Sequence, residues 1–256
     1  MSVAGPSPIR ALTFLWLVAA AMLDARPAAA QIPQRFENLK HFPQDIQRDA
    51  LVQRMREFSF ALNVRCQHCH AGGDGVSFDG VVFKSDEKVA KQKARFMLRL
   101  VDTLNNAALA DLPGRSQPPV RIDCVTCHRG SALPKTLDVV LTEVIEKDGA
   151  AAAATRYREL RERTMVEGRY DFSEWSINEL ARTLAERKNV EAAIQMLEVN
   201  AEFNPKSADI DFQLAELFRG KGERAKAIAR YKSALEKSPA HVRAKNRLAE
   251  LEREGK

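Results

Sequence analysis

Cys66-Gln67-His68-Cys69-His70 and Cys124-Val125-Thr126-Cys127-His128 decide how this 256-residue chain is read. Both are Cys-x-x-Cys-His. On one helical turn, two cysteines three apart and a histidine four after the first share a face. Each sulfur can then form a thioether to a vinyl group of haem while the histidine reaches the iron. Other readings of two Cys-x-x-Cys pairs are weaker. A zinc site needs no trailing histidine, and 54 residues separate Cys69 from Cys124, against a usual gap of roughly 15–20. Disulfides explain neither histidine, and a thioredoxin-like pair would need a βαβ setting. The expectation is two covalently bound c haems. Cys66, Cys69, Cys124 and Cys127 hold them, and His70 and His128 are the proximal ligands. His68, between two attached cysteines, reads as a solvent-facing filler.

Outward from the motifs, the pattern is helical. Residues 31–44 are polar and punctuated by Pro33 and Pro43. A helix is expected from Asp45 to about Asn63, with Leu51, Met55, Phe58 and Leu62 as its apolar stripe. Residues 71–84 hold four glycines and read as a loop. Ser85, followed by Asp86 and Glu87, starts a second helix carrying Val89, Phe96, Met97, Leu100, Val101, Leu104 and Ala108. It ends before Pro113-Gly114. No Val/Ile/Thr-rich alternating run occurs anywhere, so the chain is expected to be all-α.

Each iron can take a sixth ligand, and methionine is the usual partner of histidine in electron-carrying c haems. Met55 lies on the helix before the first motif and Met97 on the helix before the second. By pattern alone a methionine on an apolar stripe is as readily core filler as ligand.

The second half differs. Ala181, Leu184, Ala193, Leu197 and Pro205 recur 34 residues later as Ala215, Phe218, Ala227, Tyr231 and Pro239. That period resembles the tetratricopeptide repeat. Ala249, 34 past Ala215, marks a capping helix from His241 to Glu254. Residues 136–147 and 150–165 form a further helix pair. One repeat cannot bury its own apolar face, so several stack and offer a protein partner a docking surface.

The N-terminus has the order of a secretory signal: Arg10, a 13-residue apolar run from Ala11 to Leu23, then Ala28-Ala29-Ala30 before Gln31. The run is short for a membrane span and is broken by Asp24, Arg26 and Pro27. The expected organisation is a signal peptide over 1–30, a dihaem domain over 31–135 and a helical repeat domain over 136–256, in an exported, periplasmic protein; a membrane-associated form with an uncleaved anchor is the alternative. Residues 31–135 carry 16 Lys+Arg against 11 Asp+Glu, a balance of +5, while residues 136–256 carry 22 of each. Haem propionates would offset much of the basic excess, so nucleic acid is not the expected partner and an acidic redox protein is.

Residues 43–65 followed by CQHCH, and ARFMLRLVDTLNN (94–106) followed by a loop and CVTCHRG, resemble the cytochrome c subunit of photosynthetic reaction centres. That family repeats a methionine-bearing helix, a turn and Cys-x-x-Cys-His. The resemblance covers about residues 33–135, two successive units of a four-haem subunit. It implies Met55 as the axial ligand opposite His70. For the haem at His128 it implies Met97, with His41 as the alternative. The implied function is electron transfer between redox proteins, either a membrane-bound reaction centre or another periplasmic carrier. Two haem sites in place of four, the added repeats and the missing anchor cysteine weigh against a photosynthetic role. The other readings are a dihaem peroxidase-like enzyme, needing an open iron site, and a repeat scaffold with auxiliary haems.

Overall fold

The computed structural model describes residues 32–254; the signal-like segment 1–30 lies outside them. The described residues form ten α-helices and no strand, with one isolated bridge. They fall into two compact units, with the boundary between Ala132 and Leu133.

In the first unit, α1 spans Arg48–Leu62. It starts three residues after the expected Asp45, because the Ile46 N–H is taken by the Pro43 carbonyl in a turn ahead of the helix. Asn63 ends it in the left-handed region at φ 52°, and the Val64 N–H reaches back to the Ser59 carbonyl at 3.1 Å. The chain then enters a 3₁₀ turn, Cys66–His68. The loop that follows is closed by the Ala71–Val82 bridge. Gly72 sits there at φ 72°, and a Cβ would run into the Gly80 carbonyl, so this turn needs glycine twice over.

The second helix, α2, spans Val89–Thr103. The expected start at Ser85 is too early. Asp86 does not serve the helix end: its carboxylate is held by Lys40, Lys91 and Arg95. α2 runs into a single π turn, Leu104–Ala108. The short helix α3, Cys124–His128, carries the second motif.

The second unit is a succession of antiparallel-type helix pairs: α4 (Leu137–Asp148), α5 (Ala150–Thr164), α6 (Glu174–Glu186), α7 (Val190–Phe203), α8 (Ala208–Gly220), α9 (Arg224–Lys237) and α10 (Val242–Glu254). Eight of the ten matched repeat positions, every one except the prolines, are buried. Small alanines at 181, 193, 215 and 227 let helices approach, and Leu184, Leu197, Phe218 and Tyr231 fill between them. This is the tetratricopeptide-like architecture. The period extends to features that hydrophobicity does not carry. Ser173, Ser207 and His241, 34 apart, cap α6, α8 and α10. Lys188 and Gly222, also 34 apart, take left-handed φ values of 65° and 74° between paired helices. Ala249 is the exception: it is exposed, and α10 buries Ala244 and Leu251 instead. Among the described residues no helix follows α10 to cover the face on which Ala249 lies.

Candidate functional site

The two motif turns are built differently and reach the same result. In the first, the His70 N–H donates to the Cys66 carbonyl at 3.0 Å and the Cys69 N–H to the same carbonyl at 3.1 Å. That brings the histidine over the first cysteine. In the second, Cys124–His128 is a short α-helix, and the Asp123 N–H donates to the Thr126 hydroxyl at 3.0 Å to fix its start. Arg129 then turns left-handed at φ 45°, and the Gly130 N–H donates to the Ala61 carbonyl at 2.8 Å. The second motif is thereby tied to the end of α1.

Both motif histidines are held by Nδ1. His70 Nδ1 lies 3.2 Å from the Phe83 carbonyl oxygen, and His128 Nδ1 lies 2.8 Å from the Ser131 carbonyl oxygen. A carbonyl only accepts, so each ring donates from Nδ1 and presents a bare Nε2. An iron-ligating imidazole needs this arrangement. Burial pushes His70 below its ordinary value, and the Lys91 ammonium adds to this, so the ring is held neutral. Burial raises the Cys69 thiol, reinforced by Cys66. Burial raises the Cys124 thiol, reinforced by Asp123. Raised thiols are the opposite of an activated thiolate. Among the described residues no three His, Cys, Asp or Glu side chains converge on a metal-sized site.

A cavity of about 490 Å³ opens beside the first motif. That is within the range of cofactor pockets, roughly 300–1,000 Å³. Its walls are apolar: Leu51, Met55, Phe58 and Leu62 from α1, then Val64 and Phe83. Cys66, Cys69 and His70 all line it. Lys40, Arg65, Lys84, Lys91 and Arg95 also line it, against one acid, Glu37. An apolar slot with a cationic border fits a flat macrocycle bearing two carboxylates. The residues present therefore fit a covalent haem here.

The predicted residues separate by place. Met55 shares the cavity with Cys66, Cys69 and His70. His41 lines it too, with Nε2 3.3 Å from the Asp102 carboxylate. Met97 is half-buried on α2 and does not line the cavity. Within the second motif, Val125 is 56% exposed. α1 reaches both places, because its Ala61 carbonyl accepts from the Gly130 N–H beside the second motif while Met55 and Leu62 line the first cavity.

Asn105 escaped the sequence reading. It is 3% exposed in the π turn. Its amide donates to the Ile122 carbonyl at 2.7 Å and accepts from the Ile122 N–H at 2.8 Å. This two-way clamp fixes the extended chain just before Cys124. The i→i−5 bond from the Leu109 N–H to the Leu104 carbonyl at 2.8 Å is the helix irregularity that accompanies it. Two adjacent asparagines near a helix end were the available signal.

The family described as photosynthetic reaction centre cytochrome c subunit matches residues 17–168. No curated protein matches the chain. Among solved structures, MamA is similar with 21% identity, 46% of this chain and 67% of that chain covered, and a TM-score of 0.32. The Yersinia enterocolitica type III secretion chaperone SycD, in complex with a peptide of the translocator YopD, is similar with 16% identity, 47% and 92% covered, and a TM-score of 0.33.

Proposed function

The chain belongs to the photosynthetic reaction centre cytochrome c subunit family, a family of c-type cytochrome electron carriers, and on that premise we propose that it is a periplasmic dihaem carrier. One haem is held by Cys66, Cys69 and His70, the other by Cys124, Cys127 and His128. The observation that carries this reading is the pair of Nδ1-anchored histidines, each with Nε2 bare and each next to a cysteine pair. The haem iron, when bound, supplies a one-electron couple.

The chain's own residues do the rest. The Phe83 and Ser131 carbonyls orient the two rings. Leu51, Met55, Phe58 and Leu62 of α1 give the first site an apolar wall, which suits an electron-carrying centre. Met55 is the sixth ligand of the first site, supported by its place in the shared cavity. Met97 is the sixth ligand of the second. The engagement of His41 Nε2 by Asp102, which occupies the atom that would bind iron, supports Met97 over His41. Because α1 contacts both sites, it is the direct path between them. The helical repeats dock a protein partner, and the basic balance of the first half suits an acidic redox protein. The protein passes electrons between exported partners, and a photosystem is not required among them.

The test is haem counting with a redox titration of protein matured in a haem-attaching host. Two haems should survive denaturation and acid–organic extraction, and Cys124→Ala with Cys127→Ala should leave one. Protein carrying zinc and no haem would end this reading. Rapid reduction of a photo-oxidised reaction centre, weakening with salt, would restore the photosynthetic role. Fast peroxide turnover without transfer to any protein would favour the enzyme.

A further inference from the structure

The Phe83 carbonyl serves two donors. It accepts from His70 Nδ1 at 3.2 Å and from Lys91 Nζ at 2.8 Å. Lys91 is not a mobile surface cation. Its side chain is 12% exposed, and its ammonium also reaches the Ser85 carbonyl at 2.8 Å and the Asp86 carboxylate at 3.2 Å. Three acceptors for three N–H groups hold the charge in one place. Asp86 does not cancel that charge, because the same carboxylate pairs with Lys40 at 2.9 Å and Arg95 at 2.8 Å. Three cations share one anion, and all three line the cavity beside His70.

We propose that Lys91 is a positioning residue that raises the reduction potential of the iron held by His70, acting through the shared Phe83 carbonyl and through its own fixed charge. The inference rests on the reading of His70 as an iron ligand. Two effects act in the same direction. A carbonyl already bound by an ammonium is a poorer acceptor for the imidazole N–H. A weaker Nδ1–H bond leaves the ring less basic, so it stabilises ferric iron less. A fixed positive charge at the edge of an apolar cavity also opposes the extra positive charge of the oxidised iron.

The experiment uses the Cys124→Ala, Cys127→Ala protein, in which the first site's haem is titrated alone. Lys91→Met keeps the length of the side chain and removes the charge. It should shift the one-electron equilibrium about tenfold toward the oxidised form, a potential lower by about 59 mV. Lys91→Arg should restore most of the potential, which a merely structural role would not. Asp86→Asn, which strips the counter-charge, should raise the potential. That variant gives a second reading if Lys91→Met fails to mature. An unchanged potential in Lys91→Met with its haem intact, or a lowered one in Asp86→Asn, overturns the proposal. A Cys124→Ala, Cys127→Ala protein with no haem at all overturns the reading of His70 beneath it and is told apart by haem content alone.

Discussion

In residues 133–254, twenty-eight apolar side chains are buried in one continuous core; among the described residues of the first unit, Leu51, Ala61 and Ala71 are the buried apolar ones. The repeat half hides each helix's apolar stripe against the next helix. The first half turns its stripes toward a cavity and toward open surface. Phe96 and Leu100, one turn apart on α2, stay exposed, and so does Phe60, which lies off the apolar stripe of α1. The same amphipathic pattern therefore has two destinations. In one, protein meets protein. In the other, the geometry suits a flat apolar group, and ordering that half is then coupled to attaching it.

This contrast breaks first under removal of the cofactor. Protein expressed without haem attachment should lose protease resistance over residues 32–132 while residues 136–256, also expressed alone, retain helical circular dichroism and a cooperative melt. A first half that stays folded and protease-resistant without haem would remove the contrast. Next, Leu197→Ala, in the repeat core at 1% exposed, should cost about 2–5 kcal/mol in chemical denaturation and leave the haem spectrum untouched. A changed haem spectrum would tie the halves together.

The Asn105 clamp is the first half's own test of protein-made order. Asn105→Ala should cost about 1–3 kcal/mol and impair haem attachment at Cys124 and Cys127, measured by haem content against the first site. Equal loss at both sites would make Asn105 a general stabiliser.

In the repeat half, Asp211 sharpens the comparison through pH. Its side chain is 1% exposed. Burial pushes its carboxyl up, but Lys237, Ser233 and Arg230 outweigh burial and hold it below its ordinary value. A carboxylate depressed in the folded state adds stability above its unfolded value, about 3.9, and that stability is lost as pH falls through the folded value. The isolated repeat fragment should lose stability below about pH 4, and Asp211→Asn should flatten that limb of the curve. The smallest effect is at the last cap: His241→Ala should lower stability by about 1 kcal/mol, while His241→Ser, matching Ser173 and Ser207, should not.

Much of the fold was legible because it is periodic. The 34-residue recurrence located the paired helices, and the structure buries those positions. The boundaries at Asp45 and Ser85 were not, since each depends on a competing partner: Pro43 takes the Ile46 N–H, and three cations take Asp86. Ala249 has the repeat's residue at the repeat's spacing and is exposed, because burial belongs to a neighbouring helix and not to a residue type.

The sequence by itself determined the chemistry: cysteine pairs followed by histidine demand a fixed spacing along one turn, and local spacing is written in the chain. It also determined the helical class, since a 3.6-residue stripe and a 34-residue repeat are local patterns. The tertiary structure alone decided that Met55 lines one cavity with His70 while Met97 does not, and that His41 meets Asp102. It alone decided that the Phe83 carbonyl, thirteen residues from His70, is shared with Lys91. Those relations join side chains to distant backbone groups through loop closure. No local periodicity encodes where a loop returns, so they become visible when the chain is folded.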